Sequence, residues 1–174
     1  MRLKATFVRT SGQPDRVYVV RPDGSEVSWT FPSYGDALPH DLVHLVVESA
    51  AGLRDGFWGR VARGIDPARV NAAADGAAGK LGDKYKGFGD DLTELVQAEA
   101  LAAYPWLTDD AALRDAVLAD WRARIGAACP EPDTARIALV RGVLERLTAR
   151  WRALLPKGAL AVEFDPAQPH LAPD

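Results

Sequence analysis

The sequence predicts an α+β fold in which a small antiparallel sheet packs against a helical bundle. Three observations lead to this prediction. Apolar and polar residues alternate over residues 1–32, residues 38–155 contain longer segments with apolar residues at helical spacing, and "ALAVEF" near the C-terminus alternates again. A lone strand needs a partner, so we expect residues 159–165 to return to the N-terminal sheet.

The first third of the chain contains three strand-like segments. Leu3, Ala5 and Phe7 alternate with polar neighbours, while "DRVYVV" and "EVSWTF" are rich in β-branched and aromatic residues. Turn-forming "RPDGS" separates these two segments, which predicts a hairpin over residues 16–31. Together with the terminal strand, the pattern predicts a sheet of three or four strands.

The middle of the chain contains the helices. The first is predicted over residues 38–53, with Pro39 in its first turn, and "GFWGRVARG" predicts a short helical turn after it. A weaker, alanine-rich helical segment, "DPARVNAAADGAAGK", comes next. The later helices are expected at 91–103, 109–125 and 134–155, with Asp91, Thr108 and Asp133 as caps near their starts and Gly126 at one end.

We interpret residues 1–174 as a single domain, which suits the length of the chain. Glycine-rich "GKLGDKYKGFGDD", residues 79–91, is predicted to be a mobile loop. Residues 166–174 contain three prolines and are predicted to be a flexible tail.

Composition limits the classes of function. A net charge of −3 and a pI near 5.6 argue against nucleic acid as the main partner, because phosphate binding usually needs a basic surface. Cys129 is the only cysteine, which excludes a disulfide within the chain and a zinc site made of several cysteines. The charged N-terminal segment and the lack of a long apolar run predict a cytoplasmic protein without membrane contact.

The segment "ALPHDLVHLVVESAAGLRDGFWG" contains two of the three histidines in the chain. At 100° per residue, His40, Asp41, His44 and Glu48 fall within about 100° of arc, and apolar residues occupy the opposite side. An ordinary amphipathic helix with a solvated polar face explains this pattern. Histidines at i and i+4 can also bind one metal ion, because both side chains leave the same face of the helix.

The string HDLVH, residues 40–44, resembles the H-E-x-x-H signature of the zinc metallopeptidases, with Asp in place of Glu. The resemblance covers five residues. It implies that His40 and His44 bind a divalent transition metal such as zinc, with Asp41 as the general base or as an acid beside the ligands. Asp41 is one methylene shorter than the glutamate of that family.

A zinc site needs a third ligand, and two glutamates are candidates. Glu48 lies about 12 Å from His40 along a straight helix, so pairing with His44 or binding a second ion suits it better. Glu99 falls in the middle of the apolar face of the helix predicted at 91–103. Because a buried acid needs a partner, Glu99 could reach His44 or a shared metal; the alternative places it at the rim, with its carboxylate in solvent.

Two further features suggest contact surfaces. Phe57 and Trp58 lie between glycines directly after the helix predicted over residues 38–53. They either fill the core or line a pocket or partner surface. The helix at 134–155 has apolar residues at alternating spacings of three and four. This suits packing against the helix at 109–125 or a homodimer seam. In both cases we favour packing within the chain.

These observations leave three hypotheses for the function. We favour a non-catalytic domain that binds either a protein or a small ligand. The alternative is a metal-dependent hydrolase that uses His40 and His44 with Glu99 or Glu48. Whether the chain is an enzyme, and whether it is a monomer or a homodimer, stays open at this point.

Overall fold

The computed structural model describes residues 2–10, 13–32, 35–79 and 92–165, with the side chains of 75–79 excepted. These residues form a four-stranded antiparallel sheet and six α-helices, which confirms the predicted α+β class. The predicted cap Asp91, the predicted tail at 166–174 and all but the first residue of the predicted loop at 79–91 lie outside the described residues.

The sheet has the strand order β3-β2-β1-β4, and each neighbouring pair is antiparallel. Its strands are β1 (Leu3–Val8), β2 (Asp15–Val20), β3 (Glu26–Phe31) and β4 (Ala159–Phe164). β2 and β3 form the predicted hairpin. β4 returns to pair with β1, as predicted, with Phe164 opposite Leu3. This order leaves β3 at one edge of the sheet.

One face of the sheet packs against the helices, because alternate side chains of each strand point to the same side. That face carries Leu3, Phe7, Val17, Leu160 and Phe164, all at most 2% exposed. It forms one wall of the hydrophobic core, which continues into the helices.

The helices are α1 (His40–Ala51), α2 (Phe57–Ala62), α3 (Pro67–Gly79), α4 (Thr93–Ala103), α5 (Ala111–Ile125) and α6 (Thr134–Ala153). Pro39 is the N-cap of α1 and precedes its first turn. Asp133 caps α6, as predicted, by accepting a hydrogen bond from the backbone N–H of Arg136. α5 is capped by Asp110 rather than Thr108. Within the described part of the chain, none of the helices has the length and apolar character to cross a membrane.

α1 lies at the centre of the fold, packed against α4, α6 and β4. Its residues Leu42, Leu45 and Val46 are at most 1% exposed. Two polar residues of α1 are also buried: His44 is 3% exposed and Glu48 is 0% exposed. The expectation of a solvated polar face is therefore wrong for these two residues, because other helices cover that side of α1.

α6 packs chiefly on α1 and buries the apolar residues Val140, Val143, Leu144, Leu147 and Trp151. The helix at 109–125 is not the main partner of α6, contrary to the prediction. That helix, α5, packs on α4 instead, and Trp121 is its one buried residue. The apolar seam of α6 is therefore buried within the chain, chiefly against α1.

Candidate metal centre

A cleft of about 500 Å³ opens beside the edge strand β3 and the first turns of α1. Helices α2, α3 and α4 complete its walls. Its lining combines aromatic side chains with polar ones, among them Trp29, Phe31, Phe57, His40, His44 and Glu99. A cleft of this size with a few convergent polar groups is typical of small-molecule sites.

Three of the ligands proposed from the sequence meet in this cleft. α1 supplies His40 and His44, and α4 supplies Glu99, with one potential ligand atom of each lying within 4.8 Å of the other two. The two imidazole rings have centroids 4.6 Å apart, as their i, i+4 spacing on one helix face requires. Two histidine nitrogens and one carboxylate oxygen form a donor set that suits Zn²⁺ and related ions.

Glu99 reaches the histidines because α4 packs against α1. Leu95, Ala98 and Leu101 are buried on α4, and the orientation that buries them also turns Glu99 towards α1. The Glu99 side chain is 23% exposed, and its Oε1 lies 3.6 Å from Nε2 of His44. The carboxylate therefore lies in the cleft wall beside a charged partner rather than in bulk solvent.

His44 lies between two carboxylates. Its Nδ1 is 3.2 Å from Oε1 of Glu48, and its Nε2 faces Glu99. Burial alone would lower the pKa of His44, but hydrogen bonds and ion pairing with Glu48 and Glu99 outweigh burial and raise the pKa to about 10. Without a metal, His44 is therefore an imidazolium at neutral pH, and an ion bound at Nε2 would replace a proton.

Glu48 lies one turn beyond His44 and away from the cleft lining. Its Oε1 contacts His44, and its Oε2 accepts a hydrogen bond of 2.9 Å from the backbone N–H of Trp58. Burial raises the pKa of Glu48, while the bonds from His44 and Trp58 act in the opposite direction. This position corresponds to the pairing with His44 that helix geometry suggested, and not to a third ligand beside His40.

His40 stays exposed at the mouth of the cleft. Desolvation by its neighbours lowers the pKa of His40, and the charge on His44 lowers it further. A neutral imidazole is the form that binds a metal ion. His40 is therefore a ready ligand near neutral pH, whereas His44 has to give up a proton first.

Asp41 also lines the cleft, where two indoles hold it. Its Oδ2 accepts a 2.8 Å hydrogen bond from Nε1 of Trp29, and its backbone carbonyl accepts another of 2.8 Å from Nε1 of Trp58. Asp41 is not one of the three clustered ligands. With Oδ2 engaged by Trp29, Oδ1 is the oxygen that could take a proton from a water molecule in the cleft.

Phe57 and Trp58 are buried, at 3% and 0% exposure. Trp58 packs against Phe7 of the sheet, with ring centroids 6.1 Å apart, and Phe57 packs against Trp29 at 6.0 Å. Phe57 also lines the cleft, so it serves both as core and as pocket wall. Contact of either residue with a protein partner stays a prediction, and their burial gives it no support.

Trp29 belongs to the site, although the sequence pattern identified it only as an apolar strand residue. The signal that could have found it is the indole N–H, which needs an acceptor wherever tryptophan is buried. Thr30 and Asn71, which also line the cleft, have no such signal in the sequence.

Comparisons with protein-family models, with curated proteins and with solved structures found no match for this chain. The support for a metal centre therefore comes from its own geometry, from the burial of its residues and from the chemistry of the donor atoms.

Proposed function

We propose that this chain binds a divalent transition metal ion, with zinc as the best fit, and that it is a metal-dependent hydrolase. The observation that carries the proposal is the convergence of His40, His44 and Glu99 within 4.8 Å at the wall of a cleft. Three protein ligands leave a fourth tetrahedral position for water or substrate, which is the pattern of catalytic rather than structural zinc sites.

A bound ion would supply a water molecule of lowered pKa and would polarise an acyl or phosphoryl oxygen. Asp41 would take the proton from that water through Oδ1, while Trp29 holds Oδ2 in place. Trp29 and Phe57, which line the cleft, would offer apolar surface to the substrate. Each of these roles follows from the position of the side chain in the cleft.

A second candidate function is a small-ligand-binding domain that uses the same cleft without a metal. The raised pKa of His44 favours it, because an imidazolium between Glu48 and Glu99 already gives both carboxylates a partner. The protein-binding form of the hypothesis rested on the α6 seam and on Phe57 and Trp58, whose side chains are largely buried. A cytoplasmic location, a monomeric or homodimeric state and the absence of nucleic-acid partners stay predictions from the sequence.

Metal analysis of untagged protein tests the proposal. Wild type is stripped with a chelator, loaded with Zn²⁺ or with Co²⁺, dialysed and measured by mass spectrometry, alongside Glu99→Gln and Glu145→Gln. Glu145 is a matched control, because it is an exposed carboxylate on α6 paired with Arg141. We expect about one ion per chain in wild type and in the control, and a large loss in Glu99→Gln. Wild type that retains neither zinc nor cobalt would overturn the metal proposal and leave the second candidate.

Asp41→Asn separates catalysis from metal binding. The amide oxygen can still accept the Trp29 hydrogen bond, so only the proton acceptor is lost. We expect zinc to be retained and hydrolysis of activated ester, phosphodiester and peptide substrates to fall about 10²- to 10⁴-fold. Asp120→Asn, on the exposed side of α5, is the control. A zinc-loaded wild type that hydrolyses none of these substrates would overturn the hydrolase while leaving the metal site.

A further inference from the structure

We propose that Glu48 is the positioning residue of this centre: it keeps a proton on Nδ1 of His44 and so presents Nε2 to the ion. The inference rests on the proposed metal site and adds a residue that does not touch the ion. It starts from the 3.2 Å contact between Glu48 Oε1 and His44 Nδ1, at a carboxylate that is 0% exposed.

The backbone fixes the orientation of the Glu48 carboxylate. The N–H of Trp58 can only donate, so Oε2 has to be the acceptor of that 2.9 Å bond. Oε1 is thereby directed at the imidazole and favours a proton on Nδ1. Metal-bound histidines commonly donate their second ring N–H to a carboxylate, which sets both the tautomer and the ring orientation.

The loop between α1 and α2 is built closely around this carboxylate. A Cβ at Gly56 would lie 2.6 Å from Oε2 of Glu48, which is closer than real Cβ contacts allow. The φ of Gly56 is −71°, so the need for glycine here is steric and not a matter of backbone strain. The carboxylate is therefore held on two sides, by the Trp58 N–H and by the close approach of Gly56.

A purely structural role would not require a charge at this position. A glutamine could accept the Trp58 N–H equally well, and a neutral amide costs less to bury than a carboxylate. The group that does require an acceptor-only partner is His44. The charge of Glu48 is thus explained by what it does to the imidazole.

Glu48→Gln tests this directly. The glutamine oxygen is needed by Trp58, so its NH₂ group would face His44 and donate to Nδ1. This would take the proton off Nδ1 and leave one on Nε2, the nitrogen that faces Glu99 and the proposed ion. We expect Zn²⁺ affinity to fall about 10- to 100-fold, measured by competition with a chromophoric chelator.

Glu94→Gln is the matched control. Glu94 anchors the same loop by accepting hydrogen bonds from the backbone N–H groups of Arg54 and Asp55, without being one of the two carboxylates at His44. We expect its Zn²⁺ affinity to stay within about twofold of wild type, because it does not set the tautomer.

A second readout uses metal-free protein. ¹⁵N NMR of the histidine rings should show Nδ1 of His44 protonated in wild type and unprotonated in Glu48→Gln, and a purely structural role would not move this signal. If Glu48→Gln does not fold, Gly56→Ala displaces the carboxylate without changing its charge and should weaken Zn²⁺ binding several-fold.

The outcomes separate the two proposals. If Glu48→Gln binds Zn²⁺ as tightly as wild type does, the positioning role is overturned and the metal site stays. Gly56→Ala provides the same test if Glu48→Gln does not fold. A ring proton that stays on Nδ1 in Glu48→Gln would also overturn the positioning role. Absence of Zn²⁺ binding by wild type would overturn both proposals.

Discussion

α1 is buried on two opposite sides, and the two sides are built from different chemistry. One side places Leu42 and Val46 in the apolar core, while the other turns His44 and Glu48 towards α4 and α2. The apolar side needs only partners of complementary volume. The polar side needs a partner for each charge, and these partners come from α1 itself, from α4 and from α2.

The apolar and polar sides of α1 also differ in how much each can contribute to stability. Apolar burial stabilises the fold in proportion to the area removed from water. A buried acid–base cluster has to recover its desolvation cost, and apolar residues of similar volume often serve stability as well or better. Stability alone therefore does not explain the cluster of His44, Glu48 and Glu99, which supports the proposed metal site, whereas the opposite side is ordinary core.

His44→Ala should break the polar side and have the largest effect. It leaves Glu48, at 0% exposure, without its charged partner. Removing one member of a buried ion pair costs about 3–5 kcal/mol, so urea unfolding of metal-free protein should show a loss of that order, and Zn²⁺ binding should disappear. His40→Ala is the control: His40 is exposed, so that variant should lose Zn²⁺ binding with little loss of stability. Wild-type stability of His44→Ala would contradict the account given for Glu48.

Leu147→Ala should damage the apolar side alone. Leu147 is 2% exposed on α6, which packs on α1, and a cavity there costs about 2–5 kcal/mol. Folded Leu147→Ala should still bind Zn²⁺ as wild type does, because the cleft is lined by other elements. Leu139→Ala, at a side chain 49% exposed on the same helix, should change stability by less than about 0.5 kcal/mol. Loss of Zn²⁺ binding in folded Leu147→Ala would show that the two sides are coupled.

The two sides also differ in how far the sequence could predict them. Apolar periodicity located α6 and most of its buried residues, such as Val140 and Leu144, because periodicity reports which face of a helix is apolar. It could not identify the main partner of that face, which is α1 and not the predicted α5. The partner depends on how far apart the helices lie once the whole core is assembled.

The candidate site was predictable where a signal was local. The spacing of His40 and His44 fixes their common face, and Glu99 stood out as an acid within an apolar stripe. The burial of Glu48 and the bond between Trp29 and Asp41 depend on which elements cover α1, and no spacing within one helix contains that information. The sequence could therefore propose the ligands, but not the groups that position them.

A change of pH is expected to have the smallest effect on stability. It perturbs the polar side of α1 without creating a cavity on the apolar side. In the folded protein the pKa of His44 is about 10, raised above its ordinary value of 6.5. Its stabilising contribution is complete below pH 6.5 and is lost as the pH rises towards 10. The pKa of Glu48 is also raised, so its contribution to stability likewise falls as the pH rises above the ordinary range of a glutamate. The melting temperature of metal-free wild type should therefore fall by about 2–4 °C between pH 7 and pH 8.

The variants of the two sides provide the controls for this pH dependence. In Leu147→Ala the melting temperature should fall with pH as steeply as in wild type, because the cluster of His44, Glu48 and Glu99 is intact. His44→Ala should lose the His44 part of this pH dependence, and Zn²⁺-saturated wild type should also give a flatter profile, because the ion has already replaced the proton at Nε2. Equal slopes in wild type and His44→Ala would mean that His44 is not the charged partner of Glu48 and Glu99, and the contrast between the two sides of α1 would then need another cause.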